Sequence, residues 1–232
     1  MELTGSAADI LYVASTWVVP VLLAVTFHEA AHGYAAWWLG DDTAYWQGRI
    51  SLNPFRHIDP FGTVLLPALL LITGAPFLFG WAKPVPVAFG RLRRLPRDMV
   101  LVAAAGPGTN MLLAALSALA FHLLGLLPDG MVPWVAQVLF HSIQLNLVLA
   151  VFNMLPIPPL DGGRVAVGLL PPALGLPLAR LEPYGMMILI GVIFVLPLLG
   201  RQFGLQLDVF HALVGSAVGW LLPVFLGLAG VL

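Results

Sequence analysis

Two histidines four residues apart, with a glutamate between them, are the residues best placed to do chemistry: His28-Glu29-Ala30-Ala31-His32. In a helix, positions i and i+4 share one face, one turn apart. Both imidazoles then reach one metal ion, and the intervening carboxylate poises a water beside it. The chain has no cysteine. Thiolate ligands and disulfides are therefore excluded, and any metal is held by His, Asp or Glu. A hydrolytic zinc site needs a third protein ligand and an open position for water. Glu2, Asp9, Asp41, Asp42, Asp59, Asp98, Asp129, Glu182 and Asp208 fall at termini, loops or interface positions. Asp161 differs, because it follows an apolar span and stands among Pro, Leu and Gly. It is either the third ligand or a helix N-cap, and its apolar setting favours the ligand.

The segment carrying the histidines is too hydrophobic for an ordinary soluble helix. Of 232 residues, 60% are hydrophobic and 9% charged, with a mean hydropathy of +0.96. So little polar surface places the chain among integral membrane proteins. A net charge of −1 gives no basis for binding nucleic acid. Met1 to Asp9 holds no basic residue, so no signal peptide is expected.

The sequence predicts an all-α polytopic membrane protein. It has about five transmembrane helices, a re-entrant element and a short β-hairpin and edge-strand region. The first apolar segment runs from about Ile10 to Leu39, with Pro20 as a kink or as the start of the true helix. His28 lies roughly 16 Å from its far end. Ala44 to Leu52 reads as a short hairpin, and Gly80 to Phe89, with alternating prolines, as an extended edge strand. Further spans are expected at about Asp98–Leu127, Val132–Leu155, Pro183–Leu199 and Phe210–Leu228. All of residues 1–232 form one membrane domain, with the motifs at about 20–170 and C-terminal helices at about 180–230.

Charge sets the expected orientation. Arg91, Arg93, Arg94 and Arg97 are the densest positive run, which predicts a cytosolic loop. The first span then ends in the cytosol and the next one starts there. Residues 61–79, broken by Pro67, Gly74 and Pro76, must enter and return on one side. The span ending near Leu155 comes back to the cytosolic face and brings Asp161 to the side of His28 and His32.

The His28-Glu29-Ala30-Ala31-His32 motif, paired with Asn153-Met154-Leu155-Pro156-Ile157-Pro158-Pro159-Leu160-Asp161-Gly162, resembles the site-2 protease family of intramembrane zinc metalloproteases. That family carries H-E-x-x-H on one membrane helix and N-x-x-P-x-P-x-x-D-G on another. Gly106-Pro107-Gly108-Thr109-Asn110 is similar to its G-P-x-x-N stretch. The likeness covers about residues 20 to 170 and implies a compact member without an interrupting PDZ domain. It implies one Zn2+ held by His28, His32 and Asp161. Glu29 is then general base and later proton donor to the leaving amine. Asn153 and Asn110 either hydrogen-bond the substrate backbone or oxyanion, or tie helices together. The implied substrate is a single-span membrane protein, cut within the bilayer of the cell membrane at a cytosol-facing site. The alternative is a membrane metal-binding or metal-transport protein using the same cluster.

A helical amide is shielded by its own hydrogen bonds, so the substrate must be unwound. Lys83, Val85, Val87 and Phe89 line the expected edge strand, which either takes the substrate by strand addition or is a structural loop. His57, in a turn with Asp59, is either a gating residue or a polar loop histidine. His122, His141 and His211, single in apolar segments, read as interhelical hydrogen-bonders. Arg164 either neutralises local charge or anchors at the headgroups.

Overall fold

The computed structural model describes residues 7–66, 69–70, 80–205 and 208–231. Helix α1 (Ala7–Trp38) has 32 residues and continues without a break past Pro20. At 1.5 Å per residue it is about 48 Å long. Pro20 has no N–H to give the Thr16 carbonyl. The His141 ring takes up that oxygen through Nδ1 at 3.4 Å and stacks on Trp17 with centroids 4.1 Å apart. The helix ends because Gly40 adopts φ 113°. The amides of Gly40 and Asp41 then turn back onto the carbonyls of Trp37 and Ala36, a Schellman close.

The expected hairpin at 44–52 is not formed, and no β-strand occurs among the described residues. Asp41 is the physical reason. Its fully buried carboxylate accepts from the Thr43 amide at 3.0 Å and the Thr43 hydroxyl. Thr43, held this way, is the first residue of a single helical turn, α2 (Thr43–Trp46), where strand pairing was expected, with Asp42 at its N-cap position. Without a partner strand, residues 80–88 are not a sheet edge either. Their amides bond elsewhere: Lys83 N–H to the His57 carbonyl at 2.9 Å and Ala88 N–H to Asp41 Oδ2 at 2.6 Å. The re-entrant element predicted over 61–79 lies, at 67–68 and 71–79, outside the described residues. Its start is helical (Pro60–Leu65) and is capped by Asp59.

Helix α3 (Arg97–Ala120) continues in tighter turns through Phe121–Leu126. After it come α4 (Val132–Asn153), α5 (Asp161–Leu169), α6 (Pro172–Ala179), α7 (Gly185–Ile190), α8 (Leu196–Gln202) and α9 (Ser216–Leu228). Among the described residues, five stretches are long and apolar enough to cross a membrane: Leu11–Trp38, Arg97–Leu126, Val132–Asn153, Pro172–Gln202 and His211–Leu228.

Helix α3 shows how such a bundle sorts its residues. Gly106, Asn110, Ala114 and Ala118 face inward, whereas Leu112, Leu116 and Leu119 face out. Small residues let helices approach closely, and a lipid-facing surface gains nothing from being polar. The inner face of α3 packs on Ile143 and Leu147 of α4 and on Val218 and Phe225 of α9. The basic loop sits at the end of α1. Arg93 N–H bonds to the Leu39 carbonyl at 3.2 Å, and Arg91 pairs with Asp42 at 2.8 Å. A hydrogen bond from the Trp46 indole, and then the Arg91 guanidinium, hold the Asp42 carboxyl below its ordinary range.

Candidate metal centre

His28 and His32 are buried on the face of α1 turned toward α3 and the start of α5. Asp161 is buried with them. The three offer ligand atoms all within 4.8 Å of one another. His28 Nε2 and His32 Nε2 are 3.0 Å apart, and Asp161 Oδ2 is 3.3 Å from each. Asp161 stands in the first turn of α5 without a capping hydrogen bond there, and its Oδ2 is a buried oxygen with no hydrogen-bond partner.

The protons on the far side of each ring explain that orphan. His32 Nδ1 is 2.8 Å from the Val102 carbonyl, which only accepts. Nδ1 therefore carries the proton and Nε2 a lone pair. His28 Nδ1 is 2.6 Å from Asn110 Oδ1. The Asn110 amide is oriented by its nitrogen, which donates to the Ala24 carbonyl at 3.3 Å and to Asn146 Oδ1 at 2.8 Å. Its oxygen faces His28, whose Nδ1 also carries the proton. With both rings neutral, two imidazole lone pairs and a carboxylate oxygen thus converge. Alone they repel. A divalent cation satisfies all three, and two nitrogens with one carboxylate is a zinc donor set.

Two glycines make the convergence possible. A Cβ on Gly106 would come within 2.7 Å of His28 Nε2 and closer still to His32 Nε2. The bare backbone of α3 therefore leaves open the face where the lone pairs meet. A Cβ on Gly162 would run into the Met154 carbonyl, so glycine there lets the turn after α4 fold down and deliver Asp161.

Glu29 is half-buried beside the pair, and its Oε2 accepts from Val85 N–H at 2.8 Å. Val85 packs close over α1 at Gly33, where an added Cβ would lie 3.1 Å from Val85 Cγ1. Val85 is buried and Lys83 exposed. Val87 and Phe89 pack against Ala36, Leu92 and Val102. Arg49 holds the segment from outside through the carbonyls of Lys83 and Pro84 at 2.8 and 3.2 Å. Asn153, at the end of α4, is half-buried and gives one amide hydrogen to the Leu149 carbonyl at 3.0 Å. Asn110 is fully buried with both amide hydrogens engaged, which leaves it no donor for a substrate.

His57 is buried in the scaffold, its ring on the Ser51 carbonyl at 2.8 Å. His122 bonds to the Leu228 carbonyl at 2.9 Å across helices. Arg164 pairs with Glu182 at 2.8 Å and lies over the Phe89 ring at 5.0 Å. Asn146 is a functional candidate that sequence reasoning missed, and Gly106, seen there in the G-P-x-x-N likeness, was given no role of its own. Asn146 carries a signal in its spacing, seven residues before Asn153 on the same helix face.

The sequence model of Peptidase family M50 matches residues 129–198, which span α4 to the middle of α8. A Bacillus subtilis protein, "Putative zinc metalloprotease YwhC", is 43% identical over 188 residues, covering 78% of this chain and 80% of that one. "Putative zinc metalloprotease Rip2" of Mycobacterium tuberculosis is 31% identical over 204 residues, 87% of this chain and 76% of its own. No solved structure matches. The relatives share most of their length with a chain that buries a His, His, Asp donor set among membrane-crossing helices, and the chain belongs to peptidase family M50, the site-2 type of membrane zinc metalloprotease.

Proposed function

We propose that the protein is an intramembrane endopeptidase holding one zinc ion with His28, His32 and Asp161, and that it cuts a single-span membrane protein in or near its membrane segment. The observation that carries this reading is the meeting of two imidazole nitrogens and a carboxylate oxygen, all buried, at 3.0–3.3 Å. When bound there, zinc supplies Lewis-acid polarisation and lowers the pKa of water toward about 7.

Glu29 acts as general base toward the attacking water and then gives that proton to the leaving amine. The Val85 amide holds one of its carboxylate oxygens, which leaves the other to face the reaction. Asn153 donates to the substrate backbone or to the developing oxyanion. Asn110 holds the His28 ring. Lys83, Val85, Val87 and Phe89 flank the unwound substrate, which lies along the non-helical segment beside Glu29. The substrate class follows from depth. His28 is ten residues inside the end of α1, about 15 Å along its axis, where membrane segments are the peptides at hand.

The active site opens toward the cytosol across the cell membrane. The side is argued from the basic Arg91–Arg97 loop against the end of α1.

The test is co-expression with candidate single-span substrates, wild type against Glu29→Gln, with metal content measured in both. The reading expects equal zinc in the two proteins and cleavage lower by about 10²–10⁴-fold in the variant. Equal cleavage by both proteins would contradict it.

A further inference from the structure

His28 serves as a ligand only if its proton sits on Nδ1, and a line of hydrogen bonds across three helices decides this. Asn146 Nδ2, on α4, donates to the Ser142 carbonyl at 2.8 Å and is 3.3 Å from the Ser142 hydroxyl. The carbonyl only accepts, so a reversed Asn146 amide would set its oxygen against that carbonyl at 2.8 Å. Asn146 Oδ1 therefore faces α3, where it accepts from Asn110 Nδ2 at 2.8 Å. Asn110 Oδ1 in turn faces α1 and accepts from His28 Nδ1 at 2.6 Å. Every donor in the line points away from the metal face, and His28 Nε2 is left with its lone pair. Asn146 is 1% exposed and Asn110 fully buried, so water does not compete for either amide.

A reversed Asn110 would present N–H to His28 Nδ1. That ring would then carry its proton on Nε2 and fail as a ligand. The Ala24 carbonyl also resists reversal, but from 3.3 Å. The shorter contact to Asn146 is the stronger restraint.

We infer that Asn146, acting through Asn110, is a positioning residue that sets the His28 tautomer and so the affinity for zinc. This rests on the proposed ligand role of His28. A merely structural Asn146 would tie α3 to α4 and affect thermal stability alone. A positioning Asn146 changes zinc affinity, and does so only while Asn110 is present.

The experiment is zinc affinity of the purified full chain in detergent, by chelator competition. The proteins compared are wild type, His28→Ala, Asn110→Leu, Asn146→Leu, Asn146→Asp and the double Leu variant. Asn110→Leu is expected to weaken zinc binding by about 10–100-fold and Asn146→Leu by about tenfold. The double variant should bind no more weakly than Asn110→Leu. Asn146→Asp, whose neutral acid donates to Ser142 and accepts from Asn110, should restore wild-type affinity. Nitrogen-15 NMR of the metal-free wild type should show His28 protonated at Nδ1, a readout that survives a Leu variant that fails to fold.

Wild-type affinity in Asn146→Leu, effects of the two Leu variants that multiply, or an Nε2-protonated His28 would overturn this inference. Zinc binding unchanged by His28→Ala would overturn the metal reading beneath it.

Discussion

The backbone N–H of Val85 donates to Glu29 Oε2 at 2.8 Å, joining residues 56 apart in sequence. The proposed general base is thus aimed by a main-chain group in the segment proposed to flank the substrate. Pro84 and Pro86 on either side fix that segment's backbone, so the donor is pre-set.

Val85→Pro removes the donor without adding a charge or a polar group. Hydrogen bonds to charged groups contribute about 1.5–3 kcal/mol, so cleavage should fall by about tenfold or more with zinc content unchanged. Val87→Pro leaves the Glu29 contact in place and tests the segment's part in holding substrate. Full cleavage by both variants would remove this segment from the mechanism.

Gly106→Ala should abolish stoichiometric zinc binding. Within a helix, alanine is favoured over glycine by about 0.5–1 kcal/mol, so the α3 backbone itself loses nothing and the cost falls on the two histidine rings, which must shift. The methyl would occupy the face where His28 Nε2 and His32 Nε2 meet. Metal analysis beside a thermal melt of the metal-free protein checks both halves of the prediction. Normal zinc in a normally folded variant would mean that the ion is held elsewhere.

Stripping zinc should destabilise the protein reversibly. Without a cation, two imidazole nitrogens and a carboxylate oxygen crowd together in a buried site. At free zinc about 100 times Kd, binding adds about 2.7 kcal/mol, which for a chain of this size is about 5–10 °C in Tm. The shift should return on adding zinc back and be absent from Asp161→Ala.

Asp41→Ala should disturb the segment beside Glu29 from a distance. The buried Asp41 carboxylate accepts from Thr43 and Ala88. Losing it strands the Ala88 amide, at about 1–3 kcal/mol. A lower melting temperature with zinc content retained is the expected result.

The parts of the candidate site most legible in the sequence were the local ones. The spacing of His28 and His32 is a property of one helix, and the apolar setting of Asp161 was visible because acidic residues are few. Hydropathy located five apolar spans, since an 18-residue apolar window needs no tertiary context. The misreading at 44–52 came from tertiary context. Asp41 looked like a helix-ending loop residue, yet its carboxylate holds Thr43, the first residue of α2, and also takes the Ala88 amide. The parts played by Asn146 and Gly106 were equally hidden. Each acts through a contact between helices, Asn146 on Asn110 across 36 residues and Gly106 on the two histidine rings of α1. The Asn146–Asn153 spacing marks one face of α4 but does not name the partner across it.

X-ray absorption at the zinc edge, on purified wild type and Asp161→Ala, tests the central claim most directly. The account predicts one zinc per wild-type chain, with two imidazole nitrogens at about 2.0–2.1 Å and carboxylate oxygen at about 2.0–2.2 Å. In Asp161→Ala it predicts zinc lost or the carboxylate gone from the shell. A wild-type shell without histidine, or an identical shell in Asp161→Ala, would contradict it.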